Sequence, residues 1–124
     1  MNRLAGLCLG LLLHAGAAPA DEGVQPVLQT SPLAGFQYHA GRALFPLMQA
    51  GDRLELLREP DNPHDPRAVR VEWRGVPIGY APRADNVDLA RLMDAGLRVE
   101  GRIVQLQRAR DPWKRVLFEV YVVP

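Results

Sequence analysis

The chain has a single cysteine, Cys8, among 124 residues. That excludes an internal disulfide and a thiolate metal site. It has no surplus of one charge: fifteen Lys and Arg stand against fourteen Asp and Glu, for a formal net charge of +1. Proteins that grip nucleic acid through bulk electrostatics are clearly basic. Tight non-specific binding is therefore not expected, although a local basic patch is compatible with this balance. The one strongly apolar run, Leu4 to His14, falls short of the roughly 20 residues needed to span a bilayer. No Ser sits in a nucleophile elbow, and there is neither a phosphate-cradling glycine loop nor a Walker motif. His39, His64 and Asp65 lack the spacing of metal ligands. No catalytic centre, metal or other cofactor is expected.

What is present begins with a processing signal. Met1-Asn2-Arg3 is a short positive segment, the apolar run follows, and Ala18-Pro19-Ala20 puts small residues at a cleavage site. This is the pattern of a secretory signal peptide over 1–20, and it predicts export to the periplasm or beyond. Cleavage after Ala20 removes Cys8 and Arg3, leaving 104 of 124 residues with 14 basic and 14 acidic groups. That length suits one domain with one core and no membrane span. Residues 21–32 mix acids, Gln, Thr, Ser and prolines without period and read as a flexible leader. The domain proper is expected from 33 to 124.

Its centre is Arg58-Glu59-Pro60-Asp61-Asn62-Pro63-His64-Asp65-Pro66. Pro60, Pro63 and Pro66 each lack an N–H and fix φ, which rules out helix and central strand. Asp61, Asn62 and Asp65 can fold their side chains back onto backbone N–H groups. The sequence thus predicts a stiff loop holding carboxylates and an amide in set directions. Such loops carry function more often than the scaffold does. An elaborate hairpin connection without a ligand is the plainer alternative.

Around it, Leu33–His39 alternates as a first strand, Gly41 marks a turn, and Ala43–Ala50 reads as a short helical turn or loop. Asp52–Arg58 and Arg67–Trp73 flank the loop as strands, the second with Val69, Val71 and Trp73 on one face. Arg74-Gly75 is a tight turn into Val76–Tyr80, and Pro77 points to an edge position or a strand start. Asp85 is expected to cap a helix carrying the stripe Val87, Leu89, Ala90, Leu92 and Met93, with Asp88 in its first turn and Gly96 at its end. Leu97–Leu106 and Val116–Val123 are long strands. Between them Arg108 to Arg115 forms a basic loop around Trp113, for which a solvated turn is the plain reading. Together these predict a mostly β protein: a small OB-like antiparallel β-barrel of five to six strands with one or two short helices.

The run from Arg58 to Val71 closely resembles the signature of HIRAN domains, and Gly75–Arg83, Leu89–Gly96 and Gly35–Gly41 are similar to the strands and helix around it. The resemblance covers Leu33 to Val123 and implies a modified OB-like barrel, found attached to DNA-remodelling ATPases and alone in bacteria. It implies a binding module for the 3′-hydroxyl ends of single-stranded DNA. A loop carboxylate accepts a hydrogen bond from the terminal hydroxyl, and aromatic rings stack on the last bases, at about 1–3 kcal/mol per base.

Carried over, the resemblance makes Asp65 the hydroxyl acceptor, with Asn62 beside it and Tyr38 as a stacking ring. Other positions depart. Gln37 stands where the family has a basic residue, His39 where the next aromatic falls, and His64 where the loop's stacking Tyr falls. Tyr80 occupies a position expected to contact phosphate, Arg83 keeps a charge nearby, and Trp113 takes the place of a late stacking aromatic. Two readings follow: a binder of single-stranded DNA ends, or an exported module. The second would offer the same pocket to an envelope partner such as a protein terminus, a glycan or a small hydroxylated ligand. Hydrolase and zinc chemistry known among larger relatives belongs to domains that this sequence lacks.

Overall fold

The computed structural model describes residues 25–124. The proposed signal peptide lies outside them. Six strands form one antiparallel sheet in the order β1-β6-β5-β2-β3-β4. The strands are β1 Val27–Pro32, β2 Arg53–Glu59, β3 Ala68–Trp73, β4 Val76–Tyr80, β5 Val99–Leu106 and β6 Val116–Val122. Two α-helices join them, α1 Gly41–Leu44 and α2 Asn86–Asp94. Just beyond the edge strand β1, Ala34 forms an isolated bridge to the other edge strand, β4: the Ala34 N–H donates to the Tyr80 carbonyl and the Tyr80 N–H to the Ala34 carbonyl, each at 2.9 Å. The sheet thus curls toward an OB-like barrel without closing its ladder, and that bridge marks the seam. Pro77 lies in the edge strand β4, where a missing N–H costs no ladder bond.

Alternation explains the core. In β3, Val69, Val71 and Trp73 point inward, and they meet Leu54 of β2, Ile78 of β4, Ile103 of β5 and Phe118 of β6. Each fully buried aliphatic or aromatic side chain contributes about 1.5–3 kcal/mol. The Trp73 indole is accommodated because its Nε1–H donates to Asp52 Oδ2 at 3.0 Å. Leu89 and Ala90 bury one face of α2 against this core. Among the described residues no helix is long and apolar enough to cross a membrane.

Three local expectations are corrected. Residues 27–32 are not a leader: they form β1 and pair with β6, from Val27 opposite Tyr121 to Pro32 opposite Leu117. Leu33–His39 is not a strand. Only Ala34 bridges, and Gly35 then turns left-handed at φ 72. A 3-10 turn at Phe36–Tyr38 follows, which drops Phe36 into the core. Gly41 does not mark a plain turn but opens α1, where any side chain would collide with the Phe36 ring. In addition, Asp85 precedes α2 as expected, but its side chain makes no capping bond.

Candidate ligand pocket and its relatives

The proline loop is two turns in series. The Asn62 N–H donates to the Glu59 carbonyl at 3.1 Å and the Ala68 N–H to the Asp65 carbonyl at 3.0 Å. Each turn has proline in its second position, Pro60 and Pro66, where the fixed φ is already correct. Asn62 Oδ1 joins the turns by accepting the His64 N–H at 2.8 Å and the Asp65 N–H at 3.1 Å. Its amide donates to Glu59 Oε1 at 2.9 Å. Arg58 ties the loop to α2 through two bonds to Asp94, at 2.9 and 3.1 Å. It also donates to the Ala68 and Pro66 carbonyls at 2.8 and 3.1 Å.

Against this loop lies a pocket of about 290 Å³, lined by Ala34, Asn62, His64, Asp65, Ala68, Tyr80, Ala81 and Arg83. It sits at the barrel seam, since Ala34 and Tyr80 form the bridge. Asp65 Oδ1 accepts the Arg67 N–H at 2.9 Å, and Oδ2 accepts from Asn86 Nδ2 at 2.8 Å. The Arg67 N–H and the Asn86 amide hold the Asp65 carboxyl below its usual range, against a smaller opposing effect of burial. An ionised carboxylate has about four lone-pair sites, so Asp65 keeps capacity for another donor. Its side chain is 15% exposed, and the Arg83 guanidinium stands 3.7 Å away. Arg83 also donates to the His64 carbonyl.

Behind the pocket Glu59 gathers three donors: Asn62, the Tyr80 hydroxyl at 2.9 Å, and Arg70. Burial pushes Glu59 up, but these hydrogen bonds outweigh it and its pKa falls below the usual range. Burial, followed by the bond to Glu59, pushes the Tyr80 phenol up. Because its O–H is donated to Glu59, Tyr80 has no donor left for a phosphate and presents its ring to the pocket.

The structure brings Asp65, Asn62, His64, Tyr80 and Arg83 into one pocket. Asn62 spends its amide on the loop itself. The His39 ring meets the Tyr80 ring edge-on at 5.7 Å, and His39 Nδ1 lies 2.7 Å from the Gly35 carbonyl. Gln37 and Tyr38 ride the 3-10 turn just before His39, with Tyr38 80% exposed. Trp113, 49% exposed, sits on a second 3-10 turn, Pro112–Lys114, that packs beside the first. Glu59 and Asn86 are the residues that sequence reasoning misses. Asn86 is only 2% exposed, and its one signal is an amide opening the helix after Pro82.

The rigid, turn-built loop thus presents the Asp65 carboxylate into a pocket at the seam. Residues 27–124 match the HIRAN domain family, and the chain belongs to it. This places it among nucleic-acid-binding modules. A Lactobacillus plantarum protein of known crystal structure is 28% identical, with a TM-score of 0.62 over 79% of this chain and 97% of that one. The HIRAN domain of human HLTF is 21% identical in its crystal structure, with a TM-score of 0.61 over 82% of this chain and 81% of that one. At that identity the likeness concerns the fold. No curated protein matches the chain.

Proposed function

We propose that this HIRAN domain is a non-catalytic module that binds single-stranded DNA at its 3′ end. Asp65 accepts the terminal hydroxyl, and exposed rings stack on the last bases. The observation that carries this reading is Asp65 itself: held ionised by the Arg67 N–H and Asn86, lining the pocket, with accepting capacity left over. The exposure of Tyr38 and Trp113 supports the stacking half, since a solvent-facing ring is free to take a base.

The test compares single strands ending in a 3′-hydroxyl with the same strands ending in a 3′-phosphate, by fluorescence anisotropy at low salt. A carboxylate attracts the first and repels the second. A hydrogen bond to a charged group contributes about 1.5–3 kcal/mol, so the hydroxyl end should bind about tenfold or more tightly. Asp65→Ala should erase the preference. Asp65→Asn, which keeps an acceptor for the Arg67 N–H, should erase it with the loop intact. Equal wild-type affinity for both ends refutes hydroxyl capture.

The pattern over Met1 to Ala20 supports a second reading, in which the module is exported. The same pocket then takes a protein terminus, a glycan or a small hydroxylated ligand. Mass spectrometry of the protein recovered from cells decides it: export predicts Asp21 as the first residue, and a retained Met1 on cytoplasmic protein rejects it.

A further inference from the structure

A second cavity, of about 380 Å³, is lined by Phe36, Arg42, Phe45, Arg108, Ala109, Arg110 and Arg115. Four guanidinium groups line it, and no carboxylate does. They come from two places in the chain, α1 and the connection between β5 and β6. Among the described residues none of the ion pairs uses any of these four. Elsewhere among the described residues Arg53, Arg58, Arg70, Arg83, Arg91 and Arg102 have acidic partners, whereas Arg67, Arg74 and Arg98 also have none but do not share a cavity with one another. Like charges sharing one concave surface repel each other, and a cleft lined by one sign concentrates the field for a counterion.

The cluster is also shaped. Arg115 donates through Nε to the Ala109 carbonyl at 2.8 Å and through Nη2 to the Arg110 carbonyl at 3.3 Å. The Gln107 N–H closes the loop onto the Arg115 carbonyl at 2.9 Å. Arg115 thus fixes the backbone that carries the exposed Arg108 and Arg110. Phe36 and Phe45 meet edge-on at 5.9 Å, and both line the cavity as apolar wall. Phe36 starts the 3-10 turn that ends at Tyr38, and His39 just beyond packs on Tyr80 in the hydroxyl pocket. At ~2 Å of rise per residue, the step from Phe36 to His39 is on the order of 6 Å.

We infer that this arginine cavity is a phosphodiester-binding site that holds the backbone of a single strand whose 3′ end occupies the Asp65 pocket. The inference rests on the strand-end reading above and adds a second grip to the one cation, Arg83, that lines the Asp65 pocket. Arginine forks pair two N–H groups with two phosphate oxygens, and planar guanidinium sheds water more readily than ammonium. A cavity of this size with four cations exceeds what one free phosphate needs, and the turn that begins at its Phe36 leads to His39, which packs on Tyr80 of the Asp65 pocket.

The full chain is titrated with a fluorescent single strand ending in a 3′-hydroxyl, across a range of salt, as wild type and as Arg108→Gln/Arg110→Gln. Losing two phosphate contacts should flatten the slope of log K against log salt by about 1.4, at about 0.7 per phosphate on single strands. Arg42→Gln, on a separate element, should flatten it by about 0.7. The preference for a 3′-hydroxyl over a 3′-phosphate should survive in all three. An unchanged slope with that preference intact overturns this inference alone. A flattened slope without any wild-type end preference leaves the cavity assignment standing and removes the hydroxyl reading. Displacement of the strand by a few millimolar inorganic phosphate, at matched ionic strength, reassigns the cavity to a free anion. No strand binding at low salt overturns both.

Discussion

The proline loop and the arginine loop are both connections between antiparallel strands, yet they handle charge in opposite ways. In the proline loop Glu59 takes three donors, Asp65 takes the Arg67 N–H and Asn86, and Arg58 forks onto Asp94. In the arginine loop Arg108 and Arg110 have no acidic partner among the described residues, and Arg115 bonds only backbone carbonyls. Satisfied polar networks fix one geometry and resist change. Unsatisfied cations leave stability on the table and reserve their pairing capacity for a ligand. On this comparison, one loop is built to hold a shape and the other to hold a charge.

The largest effect should come from removing the acceptor at the centre of the first network. Glu59→Ala strands the Tyr80 hydroxyl, the Asn62 amide and one arm of Arg70. Unpartnered polar groups cost about 1–3 kcal/mol each where they are buried, and here they are partly exposed. A total loss of about 2–3 kcal/mol is expected, read as a lower urea midpoint at unchanged m-value. A change below about 0.5 kcal/mol would place the network among the neutral surface contacts and dissolve the contrast between the loops.

Acid should separate the loops next. Asp65 and Glu59 both have folded pKa values below their ordinary 3.8 and 4.5. Their stabilisation is therefore complete above those ordinary values and is lost as pH falls through the depressed folded ones. The thermal midpoint of the wild type should fall from about pH 5 toward pH 2. Asp65→Asn should flatten part of that fall, because no proton is taken up at that site. The arginines stay charged throughout this window, so Arg108→Gln/Arg110→Gln should follow the wild-type slope.

The same contrast explains what could be read from the sequence. The proline loop is legible because its chemistry is local: prolines in second turn positions, and Asx side chains bonding two or three residues on. The strands β3 and β6 are legible because burial largely alternates along each, and β4 because Arg74-Gly75 makes a tight turn into it. Leu33–His39 misleads because it alternates like a strand, yet Gly35 reverses the chain and Phe36 has a place in the core. Val27–Pro32 misleads the other way. Val27, Leu28 and Thr30 are exposed, so its strand state comes from pairing with β6 and not from its own pattern. Glu59 and Asn86 escape because their partners, Tyr80 and Asp65, lie 21 residues away. The arginine cavity escapes because Arg42 joins Arg108, Arg110 and Arg115 only in the folded chain.

The smallest expected effect bears most directly on the contrast. If Arg108 and Arg110 were held by unseen favourable pairing, neutralising them would destabilise the fold. If they are a reserve of repelling cations, neutralising them should leave stability unchanged or raise it by a few tenths of a kcal/mol at low salt, the usual scale of surface charge effects. Salt then distinguishes the causes. Exposed charges interact over a screening length of about 30 Å at 0.01 M but only about 3 Å at 1 M. A gain from relieved repulsion should therefore be present at low salt and vanish near 1 M. A gain from altered packing would persist. Urea unfolding of wild type and Arg108→Gln/Arg110→Gln at both salt concentrations reads this directly. A loss of more than about 1 kcal/mol at low salt would mean that these arginines build the loop, as Arg58 builds its counterpart, and that the two connections are not opposites.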